Sequence, residues 1–230
     1  MERHFDQELA KLKEDLLRMG GRAEAIVQKS IEALRRRDPA LAQQVFDDDK
    51  VIDRLEIEID ERCINLLALR QPMAVDLRFI TAALKISNDL ERVGDHAVNI
   101  AGNAQRLCGE PSLKPLVDIP RMADMAAGML HDALDAFVRG DAESARKLVR
   151  RDDAVDDLNR QLSRELVSFM IEDPGTITRA MELVMVARNL ERVADLATNV
   201  AEEVVYVAEA RVIKHHAEEQ EGAGDDFSRS

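Results

Sequence analysis

The segment from Ser87 to Ala101 spaces oxygen-bearing side chains four residues apart. Glu91, Asp95 and Asn99 form this series. In a helix, positions four apart lie about 40° from one another around the axis, so the three side chains share one face. Carboxylate and amide oxygens suit hard cations such as Mg²⁺, Ca²⁺, Mn²⁺ or ferric iron, and Zn²⁺ also accepts carboxylates. The segment therefore has the donor types of a metal site.

The same series occurs a second time. A shift of 100 residues aligns 90–101 with 190–201, and eight of these twelve positions are identical. The second copy contains Glu191, Asp195 and Asn199. A further acidic segment, 48–55, aligns with 151–158 at a shift of 103. The change of shift predicts a three-residue insertion or deletion near the turn at Gln71-Pro72.

Acidic rows on consecutive helices would face one another. The second predicted helix carries the acidic row Asp49, Asp53, Glu56 and Asp60. The acidic pairs that occur in both halves of the chain are Asp49 and Asp53, Glu91 and Asp95, Asp152 and Asp156, and Glu191 and Asp195. Like charges about 6 Å apart repel by about 3 kcal/mol per pair at an effective dielectric constant of about 20. Pairing with arginine, protonation or a bound cation would relieve this repulsion. Arg92 can reach Asp95 at i+3. A solvated acidic face remains the other interpretation.

Composition favours a helical protein that does not bind nucleic acid. Aromatic residues make up 3% of the 230 residues and Trp is absent, so Leu, Ile, Val, Ala and Met must form the core. The net charge of −13 would repel a phosphate backbone. This charge suits cations or a basic partner surface, and solubility alone is an equal explanation.

Hydrophobic periodicity predicts six long helices in two similar halves. Breaks at Pro and Gly separate them, and Asp38-Pro39 is a cap followed by proline at the first helical position. The predicted helices are 5–37, 39–70, 74–107, 121–139, 142–171 and 177–214. Short connections predict an antiparallel three-helix bundle in each half. The predicted organisation is a bundle over 1–108, a Pro-rich linker over 109–120, a bundle over 121–216 and a disordered tail over 217–230.

The termini, the histidines and the glycines of the sequence say less about function. The first residues lack the apolar core of a signal peptide, and no apolar run approaches the ~20 residues that span a bilayer, so we expect a cytoplasmic protein. His96 and His131 are expected to be structural or solvated, and His215-His216 incidental. Gly20 and Gly21 predict close approach of another helix or chain, or a kink.

Several of these motifs together resemble the PhoU family of phosphate-uptake regulators. They are LERVGDHAVNIA from Leu90 with its copy from Leu190, QPMAVDLR from Gln71, and MGG from Met19. The resemblance extends from the first helix to about residue 207 and implies a pair of three-helix bundles. It also implies that E(D)xxxD pairs can hold multinuclear iron or zinc clusters, here on the eight duplicated acids. Asn99 and Asn199 continue the same rows and are additional candidate ligands. Gly94 becomes Ala194 and His96 becomes Leu196, so the second copy departs from the GDH form.

The family resemblance implies a regulator without enzymatic activity. Such proteins repress the phosphate-starvation response and therefore act on transcription indirectly. They act between the ATPase subunit of the Pst phosphate transporter and a PhoR-type sensor histidine kinase. They also limit phosphate uptake. It implies a cytoplasmic homodimer that reaches the membrane only through its partners. Candidate interface residues are Asp76, Arg78, Arg92 and Arg192.

Two alternatives belong to other classes of protein. A metal-binding helical scaffold without a role in phosphate signalling would explain the same acidic rows. A di-iron carboxylate enzyme would need Glu-x-x-His pairs, which this sequence lacks. The sequence also lacks a P-loop motif.

Overall fold

A computed structural model describes residues 2–210, with side chains from residue 5 onward. These residues form seven α-helices and one short 3₁₀ turn, Pro174–Thr176. The helices are α1 (Glu2–Arg36), α2 (Pro39–Arg70), α3 (Ala74–Leu107), α4 (Asp118–Arg139), α5 (Ala142–Val149), α6 (Asp152–Glu172) and α7 (Ile177–Glu209). The all-α class and the two pseudo-symmetric bundles predicted from the sequence are confirmed.

The first bundle consists of α1, α2 and α3, which contact one another in all three pairs. Asp38 caps α2 by accepting hydrogen bonds from the backbone N–H groups of Ala40 and Leu41, with Pro39 at the first helical position. Gln71 ends α2 in the left-handed conformation, at φ 47°. These two short connections reverse the chain and give an up-down-up bundle.

The second bundle differs from the sequence prediction in its middle helix. The predicted helix 142–171 is broken between α5 and α6, where Arg150 and Arg151 form a turn. The backbone N–H of Arg151 donates to the carbonyl of Leu148 at 2.8 Å, which is the tighter i to i−3 pattern of a 3₁₀ turn. Neither residue is Pro or Gly, so the sequence shows no signal for this break.

Two predicted helix ends also shift. Helix α4 begins at Asp118, three residues before the predicted start, because Pro120 lies in the first turn, where its missing N–H needs no helical partner. Helix α7 ends at Glu209, before Ala210 at φ 56°. The predicted end near Lys214, the pair His215-His216 and the tail 217–230 lie outside the described residues. The predicted domain boundaries stay a prediction.

The two bundles join through an antiparallel pair of helices, α3 and α7. Four polar contacts join the two helices: Arg78–Val207 at 3.4 Å, Lys85–Glu203 at 3.0 Å, His96–Asn189 at 2.9 Å and Arg106–Glu182 at 2.9 Å. The helices are antiparallel because the residue numbers of the contacts rise along α3 and fall along α7. The middle of the crossing therefore lies near residues 92 and 192, which correspond under the shift of 100. The α2–α3 turn and the α6–α7 turn consequently lie at opposite ends of the molecule.

Of the two adjacent glycines in α1, Gly20 allows the close approach of another helix that the sequence predicts. A β-carbon at Gly20 would overlap the side chain of Leu134 on α4, so α1 and α4 are in contact there. Gly21 has no such neighbour within 4 Å. The core consists mainly of Leu, Ile, Val, Ala and Met, as the composition predicts, with Phe79, Phe137 and Cys63 among them. Within residues 2–210, no helix is long and apolar enough to cross a membrane.

Candidate functional site

The first acidic group brings α2 and α3 together through Asp49. A β-carbon at Gly94 would overlap Asp49 Oδ1, and it would lie 3.5 Å from Ile52 Cδ1. The carboxylate of Asp49 therefore lies directly against the backbone of α3. Gly94 is buried, and the absence of a side chain there lets this carboxylate enter the space between the two helices.

The acids of this first group influence one another electrostatically. Burial, and next the charges of Asp53 and Asp95, raise the pKa of Asp49 from 3.8 to about 6. Burial, and next the charges of Asp95 and Glu56, raise the pKa of Glu91 from 4.5 to about 6. Both shifts have the direction expected for carboxylates that lose water and face like charges. The rows of α2 and α3 therefore face one another at the contact of Asp49 with Gly94, although no three acidic side chains of the described residues converge on one point.

Arginine does not neutralise this group in the way that the spacing suggests. Arg92 donates to Asp89 at 3.2 Å, one turn toward the N-terminus, rather than to Asp95. The expected Arg92–Asp95 pairing is wrong, because both i−3 and i+3 are in reach on a helix and Asp89 is the less exposed of the two acids.

The second acidic group lies at the start of α6 and in the middle of α7. Burial, and next the charges of Asp195 and Asp156, raise the pKa of Asp152 from 3.8 to about 6. Burial and the charge of Asp195 likewise raise the pKa values of Asp156 and Glu191. Here an arginine does pair within the group, since Arg192 donates to Asp195 at 2.9 Å.

The two groups differ in how the first acid of each is positioned. Ala194 occupies the place of Gly94 and is fully buried. Asp152, which corresponds to Asp49, has an Oδ1 atom that is buried and lacks a hydrogen-bond partner among the described residues. The groups are therefore duplicated in sequence without being identical in environment.

A pocket of about 280 Å³ opens at the α3–α7 crossing. Its lining includes Arg92 and His96 from α3, Asp152 from α6, and Asp195, Thr198 and Asn199 from α7. Arg192 also lines it. Sequence reasoning did not find this pocket or Thr198, because the repeat shows which residues correspond and carries no information on how the two halves contact one another.

The remaining candidate residues are separate from the acidic groups. Asn99 is exposed on α3, whereas Asn199 lines the pocket. Arg78 donates from Nε to the carbonyl of Val207, so it links α3 to the end of α7. Asp76 is half-buried in the first turn of α3.

The acidic groups have the donor types of a cation site without its geometry. The two groups offer oxygen donors from adjacent helices, which suit a hard cation. In residues 2–210, however, no three His, Cys, Asp or Glu side chains converge closely enough to hold one ion as they stand. The chemistry of the residues fits a cation, and binding would require the side chains to turn toward it.

Comparison with known proteins identifies similar proteins of matching length. The model of the PhoU domain matches residues 16–104 and again 119–204. A protein of Aquifex aeolicus named phosphate-specific transport system accessory protein PhoU homolog is 43% identical over 216 residues, which are 94% of this chain and 98% of the relative. A homologue of the same name from Caulobacter vibrioides is 45% identical over 199 residues, 86% of each chain.

Solved structures show the same architecture. The crystal structure of PhoU from Pseudomonas aeruginosa is similar with a TM-score of 0.86 and 40% identity, covering 90% of this chain and 100% of that one. The structure of the phosphate transport system regulatory protein PhoU from Streptococcus pneumoniae has a TM-score of 0.82 at 28% identity, covering 90% and 98%.

Proposed function

Because the chain belongs to the PhoU family, we propose that it is an accessory regulator of phosphate transport without enzymatic activity. It represses the phosphate-starvation response when phosphate is plentiful, limits phosphate uptake and so acts on transcription indirectly. The observation that carries this proposal is the match over nearly the whole length of relatives named as accessory proteins of the phosphate-specific transport system.

The mechanism that we propose is that of an adaptor. One partner is the ATPase subunit of the Pst transporter, and the other is a PhoR-type sensor histidine kinase. The protein acts in the cytoplasm, as a homodimer, and meets the membrane only through these partners. Asp76, Arg78, Arg92 and Arg192 remain candidate interface residues.

Exposed apolar side chains at both ends of the molecule support two separate docking surfaces. At the α2–α3 turn, Leu69 is 74% exposed and Met73 is 80% exposed. At the α6–α7 turn, Ile171 is 77% exposed and Ile177 45%. Exposed apolar clusters mark interaction sites. The antiparallel α3–α7 pair places these turns at opposite ends of a helix of 34 residues, about 51 Å long at about 1.5 Å per residue.

The duplicated acids support a second part of the proposal, the binding of metal ions. Asp49, Asp53, Glu91 and Asp95 would hold one centre, and their counterparts in the second bundle the other. Iron or zinc clusters are the form that the family resemblance implies, and Mg²⁺, Mn²⁺ and Ca²⁺ also fit oxygen donors. When bound, the metal would supply positive charge between α2 and α3 and between α6 and α7, and so stabilise the acidic groups.

Elemental analysis tests the metal binding. The protein is purified without a metal-affinity tag, and metal per chain is compared with that of Glu91→Gln and of Glu191→Gln. Each variant removes one carboxylate from one group, so we expect each to lower the metal content by about half. Metal-free wild-type protein from cells grown with iron and zinc would contradict this part of the proposal.

Deletion of the gene tests the regulatory role. Alkaline phosphatase output under high phosphate is measured in the deletion strain and in the strain complemented with the wild-type gene. We expect constitutive output in the deletion strain and repression on complementation. Unchanged repression would contradict the proposal. Retention of the ATPase subunit and of the kinase by the purified protein at low salt tests the adaptor mechanism directly.

A metal-binding scaffold without a role in phosphate signalling is the second candidate. The observation that favours it is the meeting of acidic rows in both bundles, which needs no partner protein. This candidate predicts that the purified wild-type protein contains metal. It also predicts that the deletion strain still represses alkaline phosphatase under high phosphate.

A further inference from the structure

We propose that the short helix α5 is a hinged lid on the second bundle, which opens while α4, α6 and α7 stay folded. Opening uncovers apolar surface at the end of the molecule where the exposed α2–α3 turn lies. The opening is a property of the chain alone, whereas its effect on a bound protein rests on the adaptor role proposed above.

Helix α5 has a turn at each of its ends. Gly140, at φ 67°, ends α4 in the left-handed conformation. Asp141 then caps α5 by accepting from the backbone N–H of Ser144 at 3.0 Å. At its other end, Arg150 and Arg151 form the turn that separates α5 from α6. Residues at the ends of elements absorb the changes of φ and ψ in a hinge, so these eight residues can move without bending a helix.

The first bundle contains a counterpart of α5 without the second hinge. The shift of 103 residues aligns 142–149 with 39–46, and an Asp side chain caps the helix in both copies. The same shift relates two ion pairs with exchanged charges, Lys29–Asp48 in the first bundle and Asp132–Arg151 in the second. The correspondence therefore continues across the break. Helix α2 runs through the same positions unbroken over 32 residues, so the break is a feature of the second bundle.

Helix α5 has less apolar contact with its bundle than this counterpart has. Each segment has two fully buried side chains. In α2, Leu41 and Phe46 also pack against the core, whereas their counterparts are the exposed Ser144 and the smaller Val149. An isolated helix of eight residues is unstable in water, so α5 depends on its contacts with α4 and α7. It should therefore detach at a lower free energy than the rest of the bundle.

An ion pair with α7 holds α5 in the closed position. Arg146 donates from Nη1 to Glu209 Oε1 at 2.8 Å and from Nη2 to Oε2 at 2.5 Å. The two side chains are 31% and 34% exposed. Because water competes for both groups, this pair can break without any change in the core.

The end of α7 lies between α5 and the α2–α3 turn. On one side Arg146 contacts Glu209, and on the other Arg78 donates to the carbonyl of Val207 at 3.4 Å. Arg78 follows Met73, the 80% exposed residue of the turn, by five positions. The apolar surface beneath α5 is therefore at the same end of the molecule as the docking surface proposed there. A protein that binds this enlarged surface would hold the lid open, because it binds the open state better than the closed one.

Hydrogen exchange of the full-length chain, without a partner, tests the lid. Mass spectrometry compares the protection factors of the amides of 145–149 with those of 42–46, which occupy the same positions after a cap. We expect protection at least about 10-fold lower in α5, with little dependence on urea, since only a small surface opens. Arg146→Gln should lower the protection of α5 by a further factor of about 3–5 and leave α4 and α6 unchanged.

Lys147→Gln is the matched control, because Lys147 pairs with Glu143 inside α5 rather than with α7. It should change the protection of α5 by less than about 2-fold. Equal protection in the two segments would overturn the lid. Exchange of α5 that follows α6 and α7 in its dependence on urea would also overturn it, because α5 would then open only with the whole bundle.

Retention of the ATPase subunit and of the kinase tests the effect on docking. In Arg146→Gln, the affinity for the protein that binds beside α5 should rise by the factor by which opening rises. Faster exchange of α5 with unchanged retention of both proteins would overturn the effect on docking and leave the lid in place. A wild-type chain that retains neither protein would overturn the adaptor role, and hydrogen exchange alone would then decide on the lid.

Discussion

The carboxylate of Asp49 on α2 lies against the backbone of α3 at Gly94, in space that a β-carbon at residue 94 would occupy. This contact places one charge of the α2 row between the helices and explains why burial is the first cause of its raised pKa. The electrostatics of the first acidic group therefore depend on a residue that has no side chain.

Replacing Gly94 by alanine should move Asp49 toward solvent. Because the new methyl group overlaps Oδ1, the carboxylate must turn outward, and we expect the pKa of Asp49 to fall from about 6 toward 3.8. NMR titration of the side-chain carboxyl carbon measures this pKa. Gly102→Ala is the control, since its β-carbon would meet only Arg106 Nη1, at 3.7 Å. An unshifted Asp49 in Gly94→Ala would contradict the assigned contact.

The two neighbouring glycines of α1 should respond to alanine in opposite directions. Gly21→Ala enters open space, so the gain in helix propensity should raise the free energy of unfolding by about 0.5–1 kcal/mol. Gly20→Ala overlaps Leu134, which is buried between α1 and α4, and should lower it by about 1–3 kcal/mol. Urea unfolding measures both. Equal effects would mean that α1 and α4 are not in contact at Gly20.

Stability should fall as pH rises through the window in which the buried acids ionise. Asp49 and Asp152 have pKa values of about 6 in the folded chain and 3.8 ordinarily. Between these values the folded state binds more protons than the unfolded state, so its stability decreases from about pH 4 to pH 6 and the loss is complete above that range. We expect the double variant Asp49→Asn, Asp152→Asn to be more stable than the wild type at pH 7.5 by about 1–2 kcal/mol, after allowance for solvent screening.

The measurement for this prediction is urea unfolding of the metal-free protein at pH 5 and pH 7.5. The gain of the double variant should be smaller at pH 5. Asp47→Asn is the control of opposite sign, because Lys50 lowers the pKa of this carboxyl and its charge is favourable in the folded state. A double variant that is less stable than the wild type at pH 7.5 would show that another group neutralises the two acids.

The two apolar ends should bind different partners. Met73→Ser at the α2–α3 turn removes an exposed apolar side chain without touching the core, so stability should change by less than about 0.5 kcal/mol. If this turn is a docking surface, retention of one partner, the ATPase subunit or the kinase, should fall at least about 10-fold. Ile171→Ser, at the opposite end, should reduce retention of the other. Loss of both partners in each variant would place them on one shared surface.

The sequence predicts the helices well and the contacts between bundles poorly. Asp38-Pro39 caps the start of α2 and Pro72 interrupts the helix after Arg70, so the ends of α2 are predicted correctly. The break at Arg150-Arg151 has no Pro or Gly to indicate it. The meeting of the acidic rows follows from helical spacing, because short connections force neighbouring helices to be antiparallel.

The pocket at the α3–α7 crossing could not be predicted from the sequence. His96 and Asn189 are 93 residues apart and do not correspond in the repeat. Their contact depends on the angle and register at which two bundles join, which the spacing within each half does not determine. Arg92 shows the same limit on a smaller scale, since helical geometry allows a partner on either side and packing decides between them.

The antiparallel crossing of two similar helices is the geometry that two identical subunits make about a two-fold axis. A gene for a single three-helix unit could have produced this assembly as a dimer, and duplication with fusion would have kept the same contact within one polypeptide. In such a homodimer, the residue at the position of His96 would have been the same on both sides of the axis. Two copies of the sequence allow the two positions to differ, as His96 and Leu196 now do.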